Sequence, residues 1–141
     1  MEAPALWNTQ NDLADKVRRG AVELLNQQLA DALDLALQAK QAHWNVKGPN
    51  FIALHELFDE VVDEIFEHAD DLAERAVQLG GTALGTARIA ARTSRLVATN
   101  SCIHAWTRDR SAKPPLAKAR TRFRVAADWW YACTSRSGSG V

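Results

Sequence analysis

The sequence predicts an all-α protein: two long helices folded into an antiparallel hairpin, followed by an irregular or weakly helical C-terminal third. Three observations carry this. Apolar residues recur at steps of three and four over two long stretches. Gly48-Pro49 separates the stretches and leaves only a short connection, which favours antiparallel packing. The first two thirds contain no strand-like alternation. A chain of 141 residues is long enough for one domain with a core, and 47% apolar content is too high for compositional disorder.

The first helix is expected to open at Asn11 or Asp12, both good capping residues. Val17, Ala21, Leu24, Gln28, Ala32, Leu35, Ala36, Ala39 and His43 then follow along one face. Glu23, Gln27, Asp31, Asp34 and Gln38 fall between them as the polar side. The helix should stop near Asn45, because Gly48-Pro49 cannot continue it. Asn50 can cap a second helix, with Leu54, Phe58, Val61, Ile65, Leu72, Ala76 and Leu79 as its apolar stripe. Gly80-Gly81 ends it, and Thr82 to Ala91 leaves room for a short third helix.

After Arg92 the pattern decays. Residues 1–92 hold 15 acidic and 8 basic side chains, whereas residues 93–141 hold 2 acidic and 9 basic, so the net charge of zero divides into −7 and +7. Pro114-Pro115 forbids a long helix, Trp106, Trp129 and Trp130 cluster late, and the end is rich in Ser and Gly. Residues 1–95 are therefore read as the helical region and 96–141 as a divergent basic tail. Such a tail can bind DNA. It is also what a shifted reading frame would give. No apolar run approaches the roughly 20 residues of a membrane span, and Met1 to Arg19 has no secretory pattern. Cys102 and Cys133 make no disulfide framework, so a cytoplasmic setting is expected.

His43, His55, Asp59, Asp70 and Glu74 are the residues that suggest chemistry. Imidazole with carboxylate suits iron, zinc or manganese. His55 and Asp59 are four apart, as are Asp70 and Glu74, so each pair shares a helix face with about 6 Å between members along the axis. Asp59 and Asp70 are eleven residues apart and share a face too, but roughly 16 Å of axis separates them. With metal–ligand bonds of about 2 Å, one ion cannot use both pairs of one chain. Either each pair is completed elsewhere in the chain, or a two-fold axis near Glu64 and Ile65 sets Asp59 of one subunit against Asp70 of another. The second reading is preferred; His43, near His55 in the hairpin, then joins the first half-site. Taken singly, carboxylates four apart are usually a solvated face, and a histidine closing an apolar stripe is usually core. His68 and His104 have no such company and are read as structural.

The segment Lys40-Gln41-Ala42-His43-Trp44-Asn45-Val46-Lys47-Gly48-Pro49-Asn50-Phe51, with Leu54-His55-Glu56-Leu57-Phe58-Asp59, resembles the Dps family of ferritin-like mini-ferritins. Asp70-Asp71-Leu72-Ala73-Glu74-Arg75-Ala76-Val77-Gln78-Leu79-Gly80-Gly81 is similar to the same family. The resemblance covers about residues 11–95 and does not extend to the C-terminal third. It implies a ferritin-like four-helix bundle, of which the hairpin is half, assembled into a hollow dodecamer. It implies Fe(II) oxidation with hydrogen peroxide at a site between two subunits, with storage of the ferric product and protection of DNA. Carried over, the metal residues are His43, His55 and Asp59 from one half-site and Asp70 and Glu74 from the other, with Trp44 as a nearby electron donor. Zinc could occupy the same ligands without redox chemistry. Glu60, Asp63, Glu64 and Glu67 would add a negative field, although most belong to a solvated face. Two other functions are kept: a nucleoid-associated DNA binder without ferroxidase activity, and a truncated remnant that keeps only the hairpin.

Overall fold

The computed structural model describes residues 6–97. This span holds three helices, α1 (Asp15–Asn45), α2 (Phe51–Gln78) and α3 (Ala87–Thr93), and no strand. The expectations for residues 98–141, including a basic DNA arm and an irregular tail, lie outside the described residues. Among the described residues no helix is long and apolar enough to cross a membrane.

Ala14, rather than Asn11 or Asp12, opens α1. Its carbonyl accepts the amides of Val17 and Arg18 at 2.9 and 3.1 Å. Asn11 works one turn earlier, where its Oδ1 accepts the Leu13 amide at 2.9 Å in an Asx-type turn. Asp15 then supplies the negative charge that a first turn favours. At the other end α1 closes at Asn45, as the Gly48-Pro49 break requires. Gly48 has φ +108°, a conformation that costs glycine little, and its carbonyl accepts the Phe51 amide as α2 begins.

The end of α2 shows why two glycines stand there. The Gly80 amide donates to the Val77 carbonyl at 2.8 Å and the Gly81 amide to the Ala76 carbonyl at 2.9 Å, the paired bonds of a Schellman cap. Gly80 has φ +83°, and a Cβ there would meet the Trp7 carbonyl oxygen at 2.5 Å. At Gly81 a Cβ would run into the methyls of Val22. The glycines thus end the helix and let α1 and the N-terminal segment approach closely.

The structure divides into two compact units, one of residues up to Ala36 with Ile65–Leu96, the other containing Leu37–Glu64. In the first, Val22, Leu29, Ala30 and Ala36 of α1 are buried, as are Ile65, Ala69 and Ala76 of α2. The second buries Ala39, Ala42 and Val46 with Leu54, Val61 and Val62. The α2 stripe follows the sequence pattern closely. The first half of α1 does not: Val17 and Leu24 are exposed, and Arg18, Val22, Asn26 and Leu29 take the buried row. The periodicity chose the wrong one of two neighbouring rows because two polar residues occupy the right one.

Those polar residues are anchors. Arg18 donates to Thr9 Oγ1 at 2.9 Å, to the Leu79 carbonyl at 3.4 Å and to Asp15 Oδ1 at 2.7 Å, joining the N-terminal segment, α1 and the end of α2. Asn26 donates to the Thr82 carbonyl at 3.0 Å and accepts the Leu84 amide at 2.8 Å. Farther along α1, Gln27 donates to the Thr93 carbonyl, Asp34 accepts from Ser94 Oγ at 2.6 Å, and Asp31 takes the Arg95 amide and guanidinium. Burial pushes the Asp31 carboxyl up, but the bonds from Arg95 and Gln27 outweigh it and hold the group below its ordinary value. The segment 82–95 is thereby strapped along α1, with α3, capped by Thr86, in its middle. Gln27, Asp31 and Asp34, expected on the solvent side, are the docking points of this strap.

Candidate metal centre

α1 and α2 bring His43, His55 and Asp59 together in the second unit. His43 lies in the last turn of α1 and is 7% exposed, and His55 lies in the second turn of α2. Their rings stack at 3.6 Å between centroids with an interplanar angle of 22°, and Phe51 stacks on His55 at 4.9 Å. Each ring reaches the other's backbone: His43 Nδ1 lies 2.8 Å from the His55 carbonyl oxygen, and His55 Nδ1 lies 3.0 Å from that of His43.

This reciprocal contact has a chemical consequence. A carbonyl oxygen only accepts, so each Nδ1 must carry the proton and donate it. In the neutral ring Nε2 then holds the lone pair. A backbone carbonyl fixing the tautomer of an imidazole in this way is the usual outer support of a metal-binding histidine. One pair of contacts therefore prepares two imidazoles at once.

Asp59, one turn beyond His55, completes the cluster. Its Oδ1 lies 3.4 Å from His43 Nδ1 and forms an ion pair with Lys40. The hydrogen bond from Lys40 holds the Asp59 carboxyl below the usual carboxylate range, against partial desolvation that pushes it up, and the charges of His43 and Lys40 add to the lowering. A depressed carboxylate of this kind is ionised at neutral pH. Its pairing with Lys40 is complete above the unfolded pKa and is lost as pH falls through the lowered value. Lys40 stands inside the sequence motif yet was not expected to face the site. Its position three residues before His43 on α1 is the signal that could have found it.

Asp70 and Glu74 lie on α2 in the first unit, both exposed, and among the described residues neither forms an ion pair. Trp44 follows His43 and is 68% exposed. Among the described residues no group of three or more His, Cys, Asp or Glu side chains within this one chain is arranged to hold an ion. The donor types and the Nδ1–H tautomers suit iron, whereas the number of donors gathered in one chain falls short.

The profile of the ferritin-like domain family matches residues 22–124. The chain belongs to the ferritin-like family, in its Dps branch. A DNA protection during starvation protein of Agrobacterium fabrum is 50% identical over 90 residues, covering 64% of this chain and 56% of that protein. One from Mycolicibacterium smegmatis is 45% identical over 74 residues, 52% of this chain and 40% of that protein. Among solved structures, Mycobacterium smegmatis Dps in its tetragonal form superposes with a TM-score of 0.63 at 36% identity, covering 67% of this chain and 57% of the other. The Dps assignment rests on the N-terminal two thirds, and the chain spans about half the length of the curated relatives it matches.

Proposed function

We propose that this Dps-branch chain is a ferroxidase and iron-storage protein whose active site forms between two copies. His43, His55 and Asp59 of one copy face Asp70 and Glu74 of another, and each dimer holds two such sites. Ferrous iron is the substrate. Hydrogen peroxide accepts two electrons, one from each of two ferrous ions, and the ferric product passes into the cavity of a closed shell, a dodecamer in the assembly the resemblance implies. Trp44 stands ready to donate an electron and limit radical escape. Removal of ferrous iron and peroxide together protects DNA.

The observation that carries this reading is the reciprocal histidine pair. Two stacked imidazoles, each holding its Nδ1 proton on the other's carbonyl, beside an ionised carboxylate, form a prepared ligand set. One chain supplies only part of the coordination an ion needs, and the eleven-residue spacing of Asp59 and Asp70 supports completion by a second copy. Anaerobic titration with Fe(II) followed by peroxide tests it. Ferric absorbance should rise with wild-type protein and stay at the buffer rate with Asp59→Ala. Buffer-rate oxidation by both would sink the ferroxidase reading. Zinc should bind the same ligands and block the reaction without turning over.

A DNA-binding role independent of iron gains support from the name that the relatives carry, DNA protection during starvation. The N-terminal basic residues do little for it. Arg18 is buried against Leu79 and Thr9, which removes it from any phosphate contact and leaves Lys16 and Arg19. The basic segment 93–141 is the better candidate, and a gel shift at two salt concentrations, full chain against a truncation at Arg92, separates its contribution.

A further inference from the structure

We propose that Lys40 is the resident counter-ion of the half-site, a positioning residue that sets how tightly divalent cations are held at Asp59. The inference rests on the ferroxidase reading of His43, His55 and Asp59.

Lys40 and His43 are three residues apart on α1, so both project toward the start of α2. The Lys40 ammonium pairs with Asp59 Oδ1, the same oxygen that lies 3.4 Å from His43 Nδ1. A metal ligand is thus already engaged by a cation that belongs to the protein. The pair is not sealed: the Lys40 and Asp59 side chains keep 34% and 46% of their accessible surface. A surface lysine–carboxylate pair usually does little. This one differs because its carboxylate is also assigned to the metal half-site, and because the contact lies beside His43.

The chemistry of lysine fits such a role. Its ammonium is a compact point charge on a flexible four-carbon stem, so it can leave an oxygen and return by rotation about single bonds. While no cation is bound, Lys40 holds Asp59 Oδ1 beside His43 Nδ1. An arriving divalent ion must displace the ammonium or share the carboxylate with it, and either route opposes binding through like charge. Lys40 therefore prepares the ligand and weakens the grip on the ion. Weak retention suits a site that must hand its oxidised product onward and refill.

The test uses the full chain and redox-silent probes, Co(II) and Zn(II), without peroxide. Isothermal titration gives the affinity, and the visible ligand-field bands of Co(II) report whether the same ligands are used. Lys40→Gln keeps most of the length and removes the charge, and should tighten Co(II) binding by about tenfold, the order expected for one unit charge near a divalent ion in a partly exposed site. Lys40→Met should do the same and serves if the glutamine variant does not fold. Lys40→Arg keeps the charge and should stay within about twofold of wild type. Unchanged or weaker binding in both neutral variants, or equal tightening by arginine, overturns the proposal. Asp59→Asn separates it from the reading beneath it. If Asp59→Asn binds Co(II) as wild type does, the half-site itself is wrong and Lys40 falls with it. If Asp59→Asn loses binding while Lys40→Gln gains nothing, Lys40 alone is wrong.

Discussion

The two units of this chain place polar groups against the same pair of helices to opposite ends. In the first, Arg18, Asn26, Asp31 and Asp34 are consumed by the fold: they hold the N-terminal segment, the end of α2 and the 82–95 strap. In the second, each of two stacked histidines commits one nitrogen to a backbone carbonyl, and the neighbouring carboxylate is paired with a partly exposed lysine beside His43. Burial alone would have flagged Arg18 as readily as His43, since both are buried. What separates structure from chemistry is the ligand capacity that remains after local contacts are made. An arginine has only donors, and the two terminal nitrogens of Arg18 serve carbonyl, hydroxyl and carboxylate oxygens, while its buried Nε–H has no partner among the described residues. A neutral imidazole held by Nδ1–H still has an acceptor nitrogen to offer.

The largest effect expected from this contrast is on rate. His55→Ala should lower peroxide-driven Fe(II) oxidation by at least about 100-fold, because it removes a ligand and the ring stacked on His43, although the backbone carbonyl that holds His43 Nδ1 stays. It should change stability to unfolding by about 1–2 kcal/mol, for one part-buried hydrogen bond and the stacking on His43 and Phe51. Arg18→Ala should do the reverse. It removes three hydrogen bonds and leaves the Leu79 carbonyl without its donor, which should cost about 2–3 kcal/mol in urea unfolding. The oxidation rate per folded chain should stay near wild type. If Arg18→Ala lost rate in proportion to His55→Ala at temperatures where it is folded, the division between the two regions would fail.

Much of this was legible in the sequence, for identifiable reasons. The α2 stripe, its Gly80-Gly81 stop and the short turn at Gly48-Pro49 obey local rules, and local rules are what periodicity and turn chemistry encode. The meeting of His43 and His55 followed from the same short turn. The first half of α1 was misread because Arg18 and Asn26 interrupt the buried row, while Val17 and Leu24 make an exposed row look like core. The strap was illegible for another reason. Asp31 and Asp34 are ordinary solvent-face residues until Ser94 and Arg95 arrive from more than 50 positions away, and no helical spacing announces such a contact.

A smaller effect should mark the strap. Asp31→Asn weakens a pair whose arginine is exposed, so the loss should be about 0.5–1 kcal/mol. The Asp31 carboxyl is held below its ordinary value, so its contribution is complete above the unfolded pKa of about 4 and disappears as pH falls through the lower folded value. Wild type and Asp31→Asn should therefore differ in urea midpoint at pH 7 and converge as the pH is lowered below the unfolded carboxylate value. A difference that grew on acidification would reverse the sign and refute the assignment.

The central claim is that the active site is shared between two copies, and a mixing experiment tests it most directly. Asp59→Ala breaks the first half-site and Glu74→Ala the second, so each variant alone should be inactive in Fe(II) oxidation. After dissociation and reassociation together, about half of the dimers should be mixed. In a mixed dimer one site joins two damaged halves and the other joins two intact halves. Activity should return to roughly a quarter of wild type if the sites act independently. No recovery, with subunit exchange verified by native mass measurement, would contradict a shared site and place the chemistry within a single chain or nowhere in it.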